Sequence, residues 1–427
     1  MLGSILAKLY YIIWVFLTPI IPLIMLLRII FQKEELHKIR EKIGVNSYKR
    51  PNGNLIWINA VSLGEARSVI PLIKEILKYD VKILFTTVTV TSAKHVKSIL
   101  KNINNNSIMH QYSPIDHPLV LKFFLNHWKP DSIILVESEI WPNIIIESFK
   151  RKISILLLQG RISNKTFKRW KIFQSFSKYV FKKFSIIIAQ DHKNAIKYKK
   201  LGGKNIYKEI NLKNFLPAPK MNNKNEEKLI ASINQNLIIL FASIHENIED
   251  EATILTHIKT KQINPDLLTI VVPRHPNKIN NFLKTAKKYK LNIVFRSSKN
   301  LPNSSTDIYI ADTIGELGSF YKIADICFIG GSLTNRGGHN LIEPALEKCA
   351  IIFGPDVSNH SSSAKKLLDN KAAIQINNIN ELVKKITSLS INKNKINELK
   401  TKAYKCIIKT PSPTKEVLKA IKPILKI

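Results

Sequence analysis

Short apolar runs alternate with segments of helical period along most of the chain. NLIWINA (54–60) leads into the turn-like SLGE and then the amphipathic ARSVIPLIKEILK. The alternation continues through VKILFTTV, a helix around Ser92–Leu100, SIMHQYS, a helix around Leu119–Trp128 and DSIILVE. A helix from Pro142, ISILLLQ, a long helix from Asn164, FSIIIAQ and a helix from His192 follow. Runs that are apolar throughout, separated by helices, predict parallel strands covered on both faces. LPAPKMNNKNEEK (216–228), rich in Pro, Asn and Lys, interrupts the rhythm and reads as a linker. A second series then begins with NLIILFAS and runs through LLTIVVPRH, NIVFR, DIYIAD, DICFIGG and AIIFGP. The pattern predicts an α/β protein of two doubly wound domains in tandem. No fixed-period repeat is present, which argues against a solenoid.

The first thirty residues follow a different rule. Leu9 to Leu27 reads LYYIIWVFLTPIIPLIMLL without a charge, about 28 Å as a helix and close to the thickness of a bilayer core. No small-residue cleavage site follows it, so a removed signal peptide is not indicated. Pro19 and Pro22 would kink a spanning helix and leave open a segment lying in the interface. Arg28, Lys33, Lys38, Arg40 and Lys42 follow, against Lys8 alone before it, which predicts that the body lies on the cytoplasmic side. A buried amphipathic helix is the bland alternative to an anchor.

Composition narrows the partners. The 427 residues carry 66 Lys+Arg against 31 Asp+Glu, a net charge of +35, with 45% hydrophobic residues. That apolar content excludes a disordered basic tail. Three cysteines, none in a C-x-x-C pair, exclude a disulfide scaffold and argue against a zinc ribbon. The charge points to nucleic acid or to an anionic membrane surface. Lys, Ile and Asn enrichment along the whole chain makes part of it compositional background.

In parallel sheets, chemistry lies beyond the carboxyl ends of the strands. Ser62, Gly64 and Glu65 follow the first strand. Glu65 reads as a general base or equally as a helix-start acid favoured by the macrodipole. Glu137 and Glu139 in VESEIWPN end another strand, and they read equally as loop acids or a cap before Pro142. Arg161 follows ILLLQG as a candidate for holding a phosphate or carboxylate. In the second half, Arg274 and His275 follow a strand, and Gly315 and Glu316 open a helix. The segment FIGGSLTNRGGHNLIEPA brings glycines, Arg336, His339, Asn340 and then Glu343 at a helix start, a pattern suited to an anionic nucleotide. It contains neither a P-loop nor G-x-G-x-x-G. No metal-ligand spacing, D-x-D after a strand, or nucleophile elbow is present; His245, His275, His339 and His360 stand singly.

The ordered motifs SLGEARSVIPLI, ESEIWPN, GRIS, NLK, VPRHPNK, DTIGEL and GGSLTNRGGHNLIEPA, ending in FGP, resemble the 3-deoxy-D-manno-octulosonic acid (Kdo) transferases of lipopolysaccharide synthesis. The resemblance covers almost the whole chain. It implies a GT-B architecture in which two Rossmann-like domains face a cleft behind an N-terminal membrane-anchor helix. The implied domains are an anchor at 1–32, an acceptor-binding domain at 33–218 and a CMP-Kdo-binding domain at 219–427, whose last helices are free to pack back on the first. The implied reaction is inverting, metal-independent transfer of Kdo from CMP-Kdo to a lipid A precursor, lipid IVA. It takes place at the cytoplasmic face of the inner membrane among anionic lipids, with no cofactor and no nucleic acid. By position, Glu65 matches the family's base, and Glu137 and Lys213 match its transition-state stabilisers. Pro273, Arg274, Ile314, Gly315, Glu316, Asn340, Leu341, Ile342 and Glu343 match its nucleotide site. Ile314 stands where the family often has Met, and Leu341-Ile342 where it often has Pro-Leu. Asn247-Ile248 replaces the usual Gly-Glu after His245-Glu246, and Asn211 replaces a small residue. The alternatives are another GT-B enzyme (a nucleotide-sugar epimerase or UDP-sugar transferase) and a membrane-anchored basic binding protein with a decayed site.

Overall fold

The computed structural model describes residues 2–31, 34–103, 107–207, 210–212, 218, 220–409 and 412–427. The chain divides into two compact units, Met1–Lys213 with Ser412–Ile427, and Asn214–Pro411.

The first unit holds a seven-stranded, all-parallel sheet. Its strands are β1 (Leu55–Asn59), β2 (Lys82–Thr87), β3 (Ile108–Tyr112), β4 (Ser132–Val136), β5 (Ser154–Gly160), β6 (Ile186–Ala189) and β7 (Ile206–Tyr207), in the order β3-β2-β1-β4-β5-β6-β7. The order reverses between β1 and β4, which pair with Ile56 opposite Ser132 and Asn59 opposite Leu135. Their side chains are buried because helices cover both faces, and the core splits accordingly. Ile56, Ile58, Ile134 and Val136 pack on one side; Leu55, Trp57, Ile133 and Leu135 pack on the other. The last helix, Pro413–Leu425, joins the first of these clusters through Val417, Leu418, Ile421 and Leu425.

The second unit repeats the plan with β8 (Leu237–Ile244), β9 (Leu267–Pro273), β10 (Ile293–Phe295), β11 (Ile308–Ile310), β12 (Ile326–Ile329), β13 (Ala350–Phe353) and β14 (Ala373–Gln375). The order is β10-β11-β9-β8-β12-β13-β14, all parallel, reversing between β8 and β12.

All twelve apolar runs read from the sequence are strands. The two further strands, β7 and β14, are edge strands of two and three residues, too short to give a hydrophobic run. The long helix expected from Asn164 is two helices, Asn164–Ile172 and Gln174–Phe181, broken at Phe173 (ψ 57°). The break lets Trp170 stack on Phe176, with ring centroids 5.8 Å apart. The linker read at 216–228 is helical from Asn223 onward, because Asn222 accepts a hydrogen bond from the Asn225 N–H and starts the helix Asn223–Ser232.

At the N-terminus, one apolar helix was expected, but two form: Leu2–Phe16 and Ile20–Ile30, bent by 64°. The break falls at Leu17-Thr18-Pro19, where Pro19 cannot donate to the helical ladder and the Thr18 hydroxyl donates to the Val15 carbonyl. No single described helix is long and apolar enough to cross a membrane. The first helix is docked on its unit. Gly3 lies so close to the helix Gln174–Phe181 that a Cβ there would meet the Ser175 carbonyl oxygen at 2.4 Å. Tyr10 donates to the buried Asp116 at 3.0 Å, and Thr18 meets His117 Nε2 at 3.0 Å. Leu2, Ile5, Leu9, Phe16, Leu23 and Leu26 are all more than half exposed.

Candidate active site

In the first unit, the point of strand reversal carries three glutamates. Glu65 is the third residue of the helix Leu63–Ile76 that leaves β1. Ser62 accepts a hydrogen bond from the Glu65 N–H at 3.3 Å, and Glu65 Oε2 accepts from the Val61 and Ser62 amides at 2.8 and 3.4 Å. This capping box fixes the carboxylate and satisfies amides that the helix start would leave open. Oε1 accepts no hydrogen bond among the described residues. Burial, and then the charge of Glu137, hold the Glu65 carboxyl above its usual range despite those amides.

Glu137 ends β4, next to β1 in the sheet. It is buried in a left-handed conformation (φ 59°) that a side-chain-bearing residue adopts only at a cost, of order 1–2 kcal/mol. Its N–H donates to the Leu158 carbonyl at 2.8 Å, and its own carbonyl accepts from the Arg161 N–H at 3.4 Å. Arg161 has an exposed side chain. Glu139 accepts from the Trp141 indole N–H. Burial, together with the charges of Glu65 and Glu137, pushes its carboxyl up to about 7. A carboxyl poised this way can exchange a proton near neutral pH. Lys213 lies outside the described residues.

Asp116 escaped sequence reasoning. It is buried, accepts from the Asn143 and Ile144 amides at 3.2 and 2.8 Å, and so caps the helix Pro142–Lys150 that follows the glutamates. Burial raises its carboxyl to about 7 despite those amides and the Tyr10 hydroxyl.

The second unit gathers polar groups at its own reversal. His245 follows β8, and its Nε2 lies 3.2 Å from Nε2 of His339, the rings stacked at 5.4 Å; His275 packs edge-on to His245 at 6.1 Å. Burial and then the nearby Arg274 depress His339 to about 4, and burial also lowers His245, so the facing pair is neutral at pH 7. Glu249, fully buried at the start of the helix Ile248–Lys261, accepts from the amides of His245 (2.7 Å), Gly331 (2.9 Å) and Leu333 (3.1 Å). It ties the glycine loop to β8. Sequence reading passed over it because two of its three partners are backbone groups of a loop more than eighty residues away. At Gly330 a Cβ would meet the Ser243 carbonyl oxygen at 2.4 Å, so only glycine allows this approach.

The matched nucleotide residues fall into three kinds. Pro273 ends β9 and Arg274 is exposed, its N–H on the Ile244 carbonyl. Ile314 is 90% exposed, and Gly315 turns with φ 92°. Glu316 is engaged within its own unit: Arg296 pairs with both of its oxygens at 3.0 Å, and Thr313 donates to it. Although burial opposes it, this pairing holds the Glu316 carboxyl below its usual range. Asn340 donates to Glu343 at 3.0 Å and accepts from the Ile342 amide. Leu341 and Ile342 are core residues, so only their backbone is available to a ligand. Among the described residues no group of three or more His, Cys, Asp or Glu is arranged to hold a metal.

Two all-parallel seven-stranded units, each with polar groups at its point of strand reversal, define a protein of the GT-B architecture. A family model described as 3-Deoxy-D-manno-octulosonic-acid transferase (kdotransferase) matches residues 37–215. The 3-deoxy-D-manno-octulosonic acid transferase of Rickettsia bellii is 38% identical over 397 residues, 92% of this chain and 93% of that protein. That of Haemophilus influenzae is 30% identical, covering 87% of each chain. Among solved structures, a glycosyltransferase from Rickettsia africae superposes with a TM-score of 0.57 at 17% identity, over 88% of this chain and all of that one. The UDP-GlcNAc 2-epimerase of Neisseria meningitidis gives 0.56 at 12%, over 87% and 100%; at these identities both speak to the fold alone. The chain belongs to the Kdo transferase family and is a glycosyltransferase.

Proposed function

We propose that this transferase moves Kdo from CMP-Kdo to a lipid A precursor, lipid IVA, with inversion and without a metal or other cofactor. Glu65 takes the proton of the acceptor hydroxyl as its oxygen attacks the anomeric carbon. The bond from that carbon to the CMP phosphate breaks, and CMP departs with the electron pair. One base on the acceptor side suffices for a single inverting displacement. The leaving group is one phosphate, whose charge Arg274, Lys213 and loop amides can meet, so the chemistry does not demand a divalent ion as a diphosphate often does. Glu137 and Lys213 stabilise charge as the bond breaks. Pro273, Arg274, the Ile314-Gly315-Glu316 turn and the segment Asn340–Glu343 receive the nucleotide, with Glu316 acting through its hold on Arg296 and Leu341 and Ile342 through their backbone. The helices Leu2–Phe16 and Ile20–Ile30 lie in the cytoplasmic interface of the inner membrane, an arrangement favoured by their bend and by the docking of Tyr10 on Asp116.

The observation that carries the reading is the Glu65 carboxylate: buried, raised in pKa, held by amides on one oxygen and unengaged on the other. Incubation with lipid IVA and either CMP-Kdo generated in situ or a UDP-sugar, with and without a chelator, tests it by mass spectrometry of the lipid. Kdo-bearing lipid at an unchanged rate in chelator is expected. Transfer from the UDP-sugar alone, or abolition by the chelator, would overturn the donor or the metal-free mechanism.

A further inference from the structure

One cation in the first unit is buried without a counter-ion. Lys183 is 7% exposed, yet among the described residues nothing hydrogen-bonds or ion-pairs with its ammonium. Its Nζ stands 3.9 Å from the Tyr179 ring centroid and 4.3 Å from that of Phe149. Aromatic faces attract a cation, but they replace only part of its lost hydration. Burial and the like charges of Lys182 and Lys150 accordingly lower its pKa.

Lys183 lines an open recess of about 610 Å³ together with Phe149, Lys150, Lys152, Tyr179 and Ser185, within the range of small-molecule sites. Lys150 is already paired with Glu147 at 2.6 Å, which leaves Lys183 as the buried cation in want of an anion. The recess opens at the amino ends of β5 and β6, at Ser154 and Ser185. β5 is seven residues long, so roughly 20 Å of strand separates the recess from the edge that carries Glu137. It is therefore no part of the reaction centre. Tyr179 is the residue against which Gly3 of the first helix packs, and the Tyr11 ring lies 6.0 Å from Lys150 Nζ. Phe149 of the recess and Leu2 and Ile5 of the helix that carries Gly3 are at least half exposed.

We propose that this recess binds the phosphate of an anionic glycerophospholipid, with Lys183 as counter-ion and the exposed Phe149 meeting the first acyl carbons. A buried cation beside exposed aromatic surface fits a lipid headgroup better than a free anion, which has no use for that surface. The inference rests on the reading that the N-terminal helices lie on a membrane. It gives that membrane contact a specific site, distinct from non-specific attraction by the +35 charge.

The test uses the full chain and the variant Lys183→Met, which keeps the stem packing and removes the charge. Soluble dihexanoyl-phosphatidylglycerol, its phosphatidylcholine analogue and inorganic phosphate are titrated by calorimetry. In parallel, binding to phosphatidylcholine vesicles with and without phosphatidylglycerol is measured. The wild type is expected to bind the phosphatidylglycerol one to one, and Lys183→Met about fivefold more weakly, the effect of one lysine charge near a membrane surface. The variant should melt no lower than the wild type, since it loses a buried unpaired charge. Equal binding by the two proteins, or equal binding of the choline lipid by the wild type, would overturn the proposal. Inorganic phosphate binding as tightly, with the same dependence on Lys183, would make this a free-phosphate site and overturn the lipid assignment. If neither vesicle type binds while the soluble lipid still titrates, the membrane reading falls and the recess stands. Vesicle binding without discrimination between the two proteins gives the reverse.

Discussion

The proposed mechanism gives Glu65 two purposes that a single substitution separates. As a cap, its Oε2 accepts the Val61 and Ser62 amides; as the proposed base, its other oxygen would take a proton. Glu65→Gln keeps a carbonyl oxygen for the amides and removes the basicity. General-base loss costs roughly 10²- to 10⁴-fold in rate, or about 3–5 kcal/mol of barrier. Stability should move the other way. The folded-state pKa of Glu65 is raised, so the folded protein binds this proton more tightly than the unfolded chain does. Its contribution to stability is present at low pH and is lost as pH rises through the folded pKa. At pH 8 the ionised group therefore destabilises, and Glu65→Gln should melt at the same temperature or higher. Glu65→Ala should also lose the cap, about 1 kcal/mol. The assay is release of CMP during transfer to lipid IVA by purified protein, with thermal melts and CMP binding on the same samples. Turnover of Glu65→Gln within tenfold of wild type, at unchanged melting temperature, would refute the base and leave Glu65 as a helix cap.

Three further outcomes follow from the same geometry. Glu137→Gln removes the charge that helps hold the Glu65 pKa up, so the acid limb of the kcat/KM profile should move to lower pH along with a fall in rate; an unmoved limb would uncouple the two. Glu249→Gln sets an amide NH₂ against a backbone donor in a fully buried site, which should cost about 1–3 kcal/mol in denaturant unfolding and weaken CMP binding. Burial depresses the His110 ring from 6.5 to about 4. A depressed histidine makes the unfolded chain the better proton binder, so about 2 kcal/mol of stability should disappear as pH falls from 7.5 to 5; His110→Gln, which can keep the Thr87 bond, should flatten that part of the stability profile.

The strands and most helices were legible because both sheets are buried on two faces, and that burial writes itself as continuous apolar runs such as SIILV and LIILFASI. Edge strands β7 and β14 left no such trace. The break at Phe173 was hidden because it depends on where Trp170 can stack, a tertiary fact. The site residues divide on the same principle. Glu65 was visible because its capping partners, Ser62 and Val61, are three and four residues away in VSLGE. Asp116 was not, because the amides it holds lie 27 and 28 residues along the chain, and Glu249 was not, because the two loop amides that set its role lie 82 and 84 residues away. Leu341 and Ile342 match the family's nucleotide segment, but their side chains belong to the core, and an apolar pattern in sequence reads alike for ligand contact and for packing.

The two units show how one backbone plan yields two kinds of carboxylate. Each places a glutamate in the first turn of the helix leaving its first strand, at the reversal of strand order. Glu249 spends its oxygens on three amides, two of them from the loop after β12, and is fully buried; the carboxylate has become part of the scaffold that shapes the glycine-rich loop. Glu65 spends one oxygen on its own helix cap and leaves the other without a hydrogen bond among the described residues. Burial raises both pKa values, so the shift alone does not separate them. What separates them is the unengaged oxygen, because a base must have a lone pair to offer. Exchanging the roles by mutation should therefore fail in a specific way. Glu249→Gln should impair nucleotide binding and stability together, whereas Glu65→Gln should impair turnover alone. If both variants lost binding, melting temperature and turnover in parallel, the division of labour between the two glutamates would be wrong.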